Sequence, residues 1–143
     1  MDGYTTVRAN GLDLAYRVLG DPGAPALVLL HGRGGESGNW DGVAEELAES
    51  RRVYAVDLRG HGRSSWPGTY SFELMRDDVR AFLGALGVER ADVVGHSMGG
   101  AVAPAGADRG GGRGRLGDLR REARSPADSR SGHQRPSLSA RRV

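Results

Sequence analysis

The stretch Ala91-Asp92-Val93-Val94-Gly95-His96-Ser97-Met98-Gly99-Gly100 decides how the rest of this sequence is read. Ala91 to Gly95 is a short, mostly apolar run that suits a strand buried in a parallel sheet. Gly95-His96-Ser97-Met98-Gly99 then fits the pattern G-x-S-x-G, and Gly99-Gly100-Ala101-Val102-Ala103 opens a helix. A serine in that setting sits on a sharp, strained strand-to-helix turn. The flanking glycines let the backbone pass closely, so the hydroxyl is presented above the edge of the sheet. The N–H of Met98, at the start of the helix, can donate to a developing oxyanion. In a chain with 24 glycines among 143 residues the five-residue pattern is weak by itself. Its place between a strand and a helix gives it weight.

The same alternation extends upstream. Tyr4–Ala9 and Leu12–Leu19 read as two strands around Asn10-Gly11, the strongest two-residue hairpin signal because both turn positions require positive φ. Ala26 to Leu30 is a continuous apolar run that ends at His31-Gly32, again a strand buried on both faces. A glycine-rich loop follows, then a helix over about residues 40–50, with Trp40, Val43, Ala44 and Leu47 at helical spacing. Arg52–Leu58 is the next strand, and residues 59–68 are a Gly/Ser-rich loop. Ser71 is an N-cap, with Glu73 in the first turn where the helix dipole favours an anion. Met75, Val79, Phe82, Leu83 and Leu86 then mark an amphipathic helix ending near Gly87. Hairpin, then strand–helix–strand–helix–strand, is the order of an α/β chain with a parallel sheet and helices on its faces.

Downstream the pattern breaks. Pro104 falls within the helix after Ser97, where a proline costs about 3 kcal/mol. Residues 104–143 hold only Leu116, Leu119, Leu138 and Val143 as large aliphatics and no aromatic residue. Such a segment cannot bury enough apolar surface to offset chain entropy, so it reads as an Arg/Gly-rich disordered tail, with residues 1–103 as the folded portion. All 20 basic residues are arginine. Ten of them face fourteen acidic residues in 1–103, a net −4. The other ten face four acidic residues in 104–143, a net +6. Two unlike segments are joined here, the composition expected where GC-rich coding DNA changes reading frame.

Composition also excludes. There is no cysteine, hence no disulfide framework or thiolate metal site. Met1-Asp2-Gly3-Tyr4 is no signal peptide, and no apolar run is long enough to span a bilayer, so a cytoplasmic protein without membrane contact is expected. His31, His61, His96 and His133 show no ligand spacing, so no metal is assigned. His133 follows no strand and reads as a tail histidine. Asp77 and Asp78 read as a solvated helix face and not as a catalytic pair. The Arg109–Arg115 segment lacks aromatic residues for stacking, so nucleic acid is not an expected partner.

Three loops in order carry a resemblance. His31-Gly32-Arg33-Gly34-Gly35 resembles the H-G-x-G oxyanion loop of the α/β-hydrolase family. Asp57-Leu58-Arg59-Gly60-His61-Gly62-Arg63-Ser64 resembles its D-x-R-G-x-G-x-S loop, and Gly95–Gly100 resembles its nucleophile elbow. Over about residues 4–103 the chain is similar to the N-terminal part of that family's sheet, an incomplete α/β-hydrolase fold. The resemblance implies Ser97 as nucleophile and the backbone N–H groups of Arg33 and Met98 as the oxyanion hole. It assigns structural places to His31, Gly32, Gly34, Asp57, Gly95 and Gly99. Arg59 and His61 shape a structural loop that need not touch substrate. It implies hydrolysis of a small ester-like carbonyl substrate, with no cofactor.

The sequence departs from the family after residue 103, where the acid and histidine of later strands have no counterpart, and a serine without its base is a weak nucleophile. Impaired hydrolysis is therefore expected, with a non-catalytic fragment or a binding module with a basic tail as the rival. Without a following strand, the edge at Ala91–Gly95 is left unpaired, a route to self-association.

Overall fold

The structure, a computed structural model, describes residues 3–104 and 138–143. Strand β1 (Thr5–Ala9) turns at Asn10 and Gly11, both at positive φ (51° and 75°), into β2 (Leu12–Leu19), its antiparallel partner. Strand β3 (Ala26–Leu30) lies parallel to β4 (Arg52–Val56) on one side and to β5 (Ala91–His96) on the other. With β2 antiparallel to β4, and β6 (Leu138–Arg142) antiparallel to β5, the order is β1-β2-β4-β3-β5-β6.

Central β3 shows why the sheet is covered on both faces. Val28 and Leu30 point into a core shared with Tyr16, Val79, Phe82 and Val102. Leu27 and Leu29 point into a second core with Trp40, Ala44, Leu47 and Val53. Burial of each such side chain stabilises the fold by about 1.5–3 kcal/mol. Helices α2 (Phe72–Ala85) and α3 (Met98–Val102) cover the first face; a single 3₁₀ turn (Ser37–Trp40) and α1 (Asp41–Leu47) cover the second. The helix read over 40–50 is thus shorter and starts one residue later.

Helix α2 begins as its sequence dictates, with the Ser71 hydroxyl accepting from the Leu74 N–H at 3.0 Å. It ends in a Schellman motif: Gly87, at φ 67°, donates to Gly84 O and Val88 donates to Leu83 O. Helix α3 stops at Val102 because Pro104 forces its predecessor out of the helical region, and Ala103 is extended at φ −49°, ψ 124°.

Two expectations are corrected. Residues 104–143 read as structureless, yet Leu138–Arg142 adds a strand to β5. A strand ladder is made backbone to backbone and needs few apolar anchors. Here Val143 packs on the α2 side, Ala140 on the α1 side, and Arg142 Nε donates to Asp92 Oδ1 at 3.0 Å. The β5 edge is therefore covered from within the chain, and the unpaired edge invoked for self-association is not open. Residues 105–137, including the Arg109–Arg115 segment and His133, lie outside the described residues. The second correction concerns Asp78, read as solvated. It is 1% exposed and holds Arg59 through two hydrogen bonds, Arg59 Nε to Oδ2 at 2.5 Å and Nη2 to Oδ1 at 2.7 Å. Asp77 does face solvent. Among the described residues no helix is long and apolar enough to cross a membrane.

Candidate active site

The carboxyl ends of β3, β4 and β5 feed three loops that meet at one cavity, the usual place for a site in an open α/β sheet. Ser97 links β5 to α3 at φ 52°, ψ −114°, a positive-φ conformation outside the left-handed helical region that residues with a side chain rarely enter. The glycines around it are sterically obligatory. A side chain on Gly95 would run into the backbone of Gly99 and Gly100. One on Gly99 would run into the carbonyls of Leu30 and His31. One on Gly32 would come within 2.9 Å of His96 Nδ1. The elbow is thereby drawn against the end of β3, which brings Ser97 and Met98 beside the His31–Gly35 loop.

Ser97 is exposed, and among the described residues its hydroxyl has no hydrogen-bond partner. Its carbonyl accepts from Gly100 and Ala101, closing the first turn of α3 and leaving the Met98 N–H outside the helical ladder. Arg33, Ser97 and Met98 all line the same cavity of about 740 Å³. The structure thus brings together the three residues singled out in the sequence for the reaction centre.

His31 and Asp57 do not line this cavity and are fully buried. His31 Nε2 accepts from the Leu58 N–H at 3.0 Å, and its Nδ1 stands 2.8 Å from the Gly32 carbonyl. Burial pushes the His31 pKa below its ordinary value, which keeps the ring neutral and able to accept. The Asp57 carboxylate accepts from the Ser37 N–H at 2.7 Å and the Arg63 N–H at 3.0 Å. Ser64 Oγ donates to the Asp57 carbonyl and accepts from the Ala15 N–H, tying this loop to β2. The hydrogen bond with Asp78 is the main cause holding the Arg59 guanidinium above its ordinary pKa. Gly34 donates its N–H to His61 Nε2 at 3.2 Å.

His61, read in the sequence as part of a structural loop that need not touch substrate, also lines the cavity, beside Trp66, Tyr70 and Phe72, which the sequence reading did not assign to a site. Trp66, Tyr70 and Phe72 are exposed at 70%, 47% and 48%. A signal existed, since three aromatic residues crowd into a Gly/Ser/Pro-rich connection where a loop without a ligand has little use for them. Among the described residues no cluster of His, Asp and Glu is arranged to hold a metal ion.

Comparison with known proteins bears on the family. A family described as the alpha/beta hydrolase fold matches residues 25–108. The chain is 41% identical over 95 residues to an sn-1-specific diacylglycerol lipase of Mus musculus, covering 64% of this chain and 31% of that protein. It is 42% identical over 101 residues to a bifunctional esterase/perhydrolase of Acinetobacter calcoaceticus, covering 68% of this chain and 36% of that protein. Among solved structures it superposes on the enol-lactonase from Burkholderia xenovorans with a TM-score of 0.67 at 35% identity, over 68% of this chain and 39% of that one. The chain spans about a third of the length of these relatives.

Proposed function

This chain belongs to the α/β-hydrolase family, and we propose that within it Ser97 is the nucleophile of an ester-hydrolysing site whose oxyanion donors are the backbone N–H groups of Arg33 and Met98. The observation that carries the reading is the Ser97 backbone. A serine held at positive φ between two glycines that admit no side chain costs about 1–3 kcal/mol, and such strain persists where it aims a group at a site. The Ser97 oxygen bonds to the carbonyl carbon and the two N–H groups hold the tetrahedral oxyanion; its collapse breaks the ester C–O bond and releases the alcohol, which takes up the serine proton, and water then cleaves the acyl-serine bond to give the acid and the free hydroxyl. The aromatic wall of Trp66, Tyr70 and Phe72 suits a substrate with an apolar acyl or alkyl part.

No described histidine is placed to take the Ser97 proton: His31 and His61 each have both ring nitrogens engaged by backbone groups, and His96 does not line the cavity with Ser97. Loss of the base typically costs a serine hydrolase about 10⁶-fold in turnover, while donors and binding still give about 10³–10⁴-fold over water. Slow phosphonylation is thus the expected behaviour of a site furnished by the described residues. A fluorophosphonate probe should label the protein at Ser97, and Ser97→Ala should abolish the label. No labelling of the native protein would overturn the reading in favour of a non-catalytic binding module.

A further inference from the structure

We infer that the Arg33 side chain reads a carboxylate on the substrate: the site takes esters that carry a carboxylate a few bonds from the carbonyl that Ser97 attacks. The inference rests on the proposed reading of Ser97 as the nucleophile and names the substrate class of that site.

Arg33 stands at the corner of a tight turn. Gly35 N–H donates to Gly32 O at 3.0 Å, and Gly34, third in the turn, has φ +73°, the arrangement of a type II turn. Arg33, second in that turn, is exposed and borders the cavity with Ser97. Among the described residues its side chain makes no hydrogen bond, ion pair or ring contact. Other arginines of this chain are committed. Six pair with aspartates. Arg52 and Arg76 donate to backbone carbonyls, and Arg63 lies over the Tyr4 ring. Arg90 shares the state of Arg33, but it precedes β5 and so lies at the opposite end of the sheet from Ser97.

The cavity wall gives that cation nothing to pair with. Among the described residues that line the cavity none is acidic, and His61 has both ring nitrogens engaged by backbone groups. Arg33 is therefore a single formal charge on an otherwise neutral wall. An anion that enters meets attraction without repulsion, and the apolar rings of Trp66 and Phe72 lower the local screening. A planar guanidinium matches a carboxylate through two parallel N–H bonds. One positive charge balances one carboxylate. A phosphate dianion would bring a second negative charge that no described lining residue meets. Distance discriminates as well. Arg33 is also the proposed source of an oxyanion N–H, so its guanidinium is tethered a fixed number of bonds from the reacting carbonyl. The carboxylate it meets must lie equally near, and the remaining aliphatic part is left to the aromatic wall.

Two fluorophosphonates of the same chain length test this, one ending in a carboxylate and the other in its methyl ester, with labelling of Ser97 followed by mass spectrometry. The carboxylate probe should label the wild type about fivefold faster, the upper end for an exposed ion pair, and high salt should shrink that ratio. Arg33→Gln should bring the ratio to about one, and Arg33→Lys, which keeps the charge, should hold most of it. Comparing ratios cancels any change in the oxyanion hole that both probes feel. Equal rates for the two probes on the wild type, or an unchanged ratio in Arg33→Gln, would overturn the inference. A second measurement does not depend on reactivity. The Arg33 Nε–H resonance should shift to saturation in an NMR titration with monomethyl adipate and stay in place with dimethyl adipate. No shift with the monoester would overturn the inference, while labelling of Ser97 kept the proposed function. An unlabelled wild-type Ser97 would instead remove the proposed function, and a saturating shift would then leave a carboxylate-binding site on a non-catalytic chain.

Discussion

Two consecutive segments border the cavity and are built in opposite ways. From Asp57 to Ser65, backbone and side chains are tied down: Asp57 receives two N–H groups, Ser64 bridges to β2, Arg59 is locked on Asp78, and His61 meets Gly34. From Trp66 to Phe72 the large side chains Trp66, Tyr70 and Phe72 stand in solvent. The first segment spends its polar chemistry on holding itself and its neighbour loop in place. The second offers uncommitted apolar area. The difference separates a scaffold, whose loss should cost stability, from a contact surface, whose loss should cost recognition.

The sharpest way to break the comparison is on the scaffold side. Arg59→Met keeps the length of the side chain but leaves Asp78 buried without its cation, with Asn10 Nδ2 as its remaining side-chain partner. Removing one partner of a buried pair typically costs about 3–5 kcal/mol, so urea denaturation should show a loss of that size. A loss below about 1 kcal/mol would place Arg59 with the surface residues.

His31 gives the next effect, and its sign follows from burial. Its folded pKa lies below the ordinary value of 6.5, so around and below that pH the unfolded chain binds a proton that the folded ring refuses. Stability is full above about pH 6.5 and falls as the solution is acidified, by at most about 1.4 kcal/mol per pH unit. His31→Gln retains an acceptor for Leu58 but does not titrate. Between about pH 7 and about pH 5 its denaturation midpoint should fall less steeply than that of the wild type. Equal slopes would mean that His31 charges in the folded protein without cost.

How much of this was legible in the sequence divides along the same line. The scaffold could be read because its constraints are local: Asn10-Gly11 demands a hairpin, Ser71 a helix start, Pro104 a helix stop, and Gly95 and Gly99 a close approach around Ser97. Long-range pairings were not legible. That Asp78 leaves the solvated row of its helix to meet Arg59, nineteen residues away, depends on how α2 lies on the sheet. That Leu138–Arg142 returns to β5 rests on a backbone ladder, which needs no apolar period in the sequence and so leaves little pattern to detect. The contact surface was missed for a different reason. Trp66 and Tyr70 follow neither a strand nor a helix period, and Phe72 stands at the first position of α2, so the loop and the helix start together place the three around Ser97.

The smallest expected change in stability belongs to that surface. Trp66→Ser and Phe72→Ser remove side chains 70% and 48% exposed, so each should move the unfolding free energy by no more than about 0.5 kcal/mol. Recognition should respond instead. An alkyl chain laid against these rings gains about 25 cal/mol for each Å² of apolar surface it covers. Loss of one ring should therefore reduce the preference of Ser97 for a long-chain over a short-chain alkyl fluorophosphonate by several-fold, with the short-chain rate unchanged. A uniform fall for both probes would mean that the aromatic segment shapes the elbow and not the substrate. A fall in stability with chain-length preference intact would place Trp66–Phe72 on the scaffold side after all, and the division between the two segments would then lie elsewhere than at Ser65.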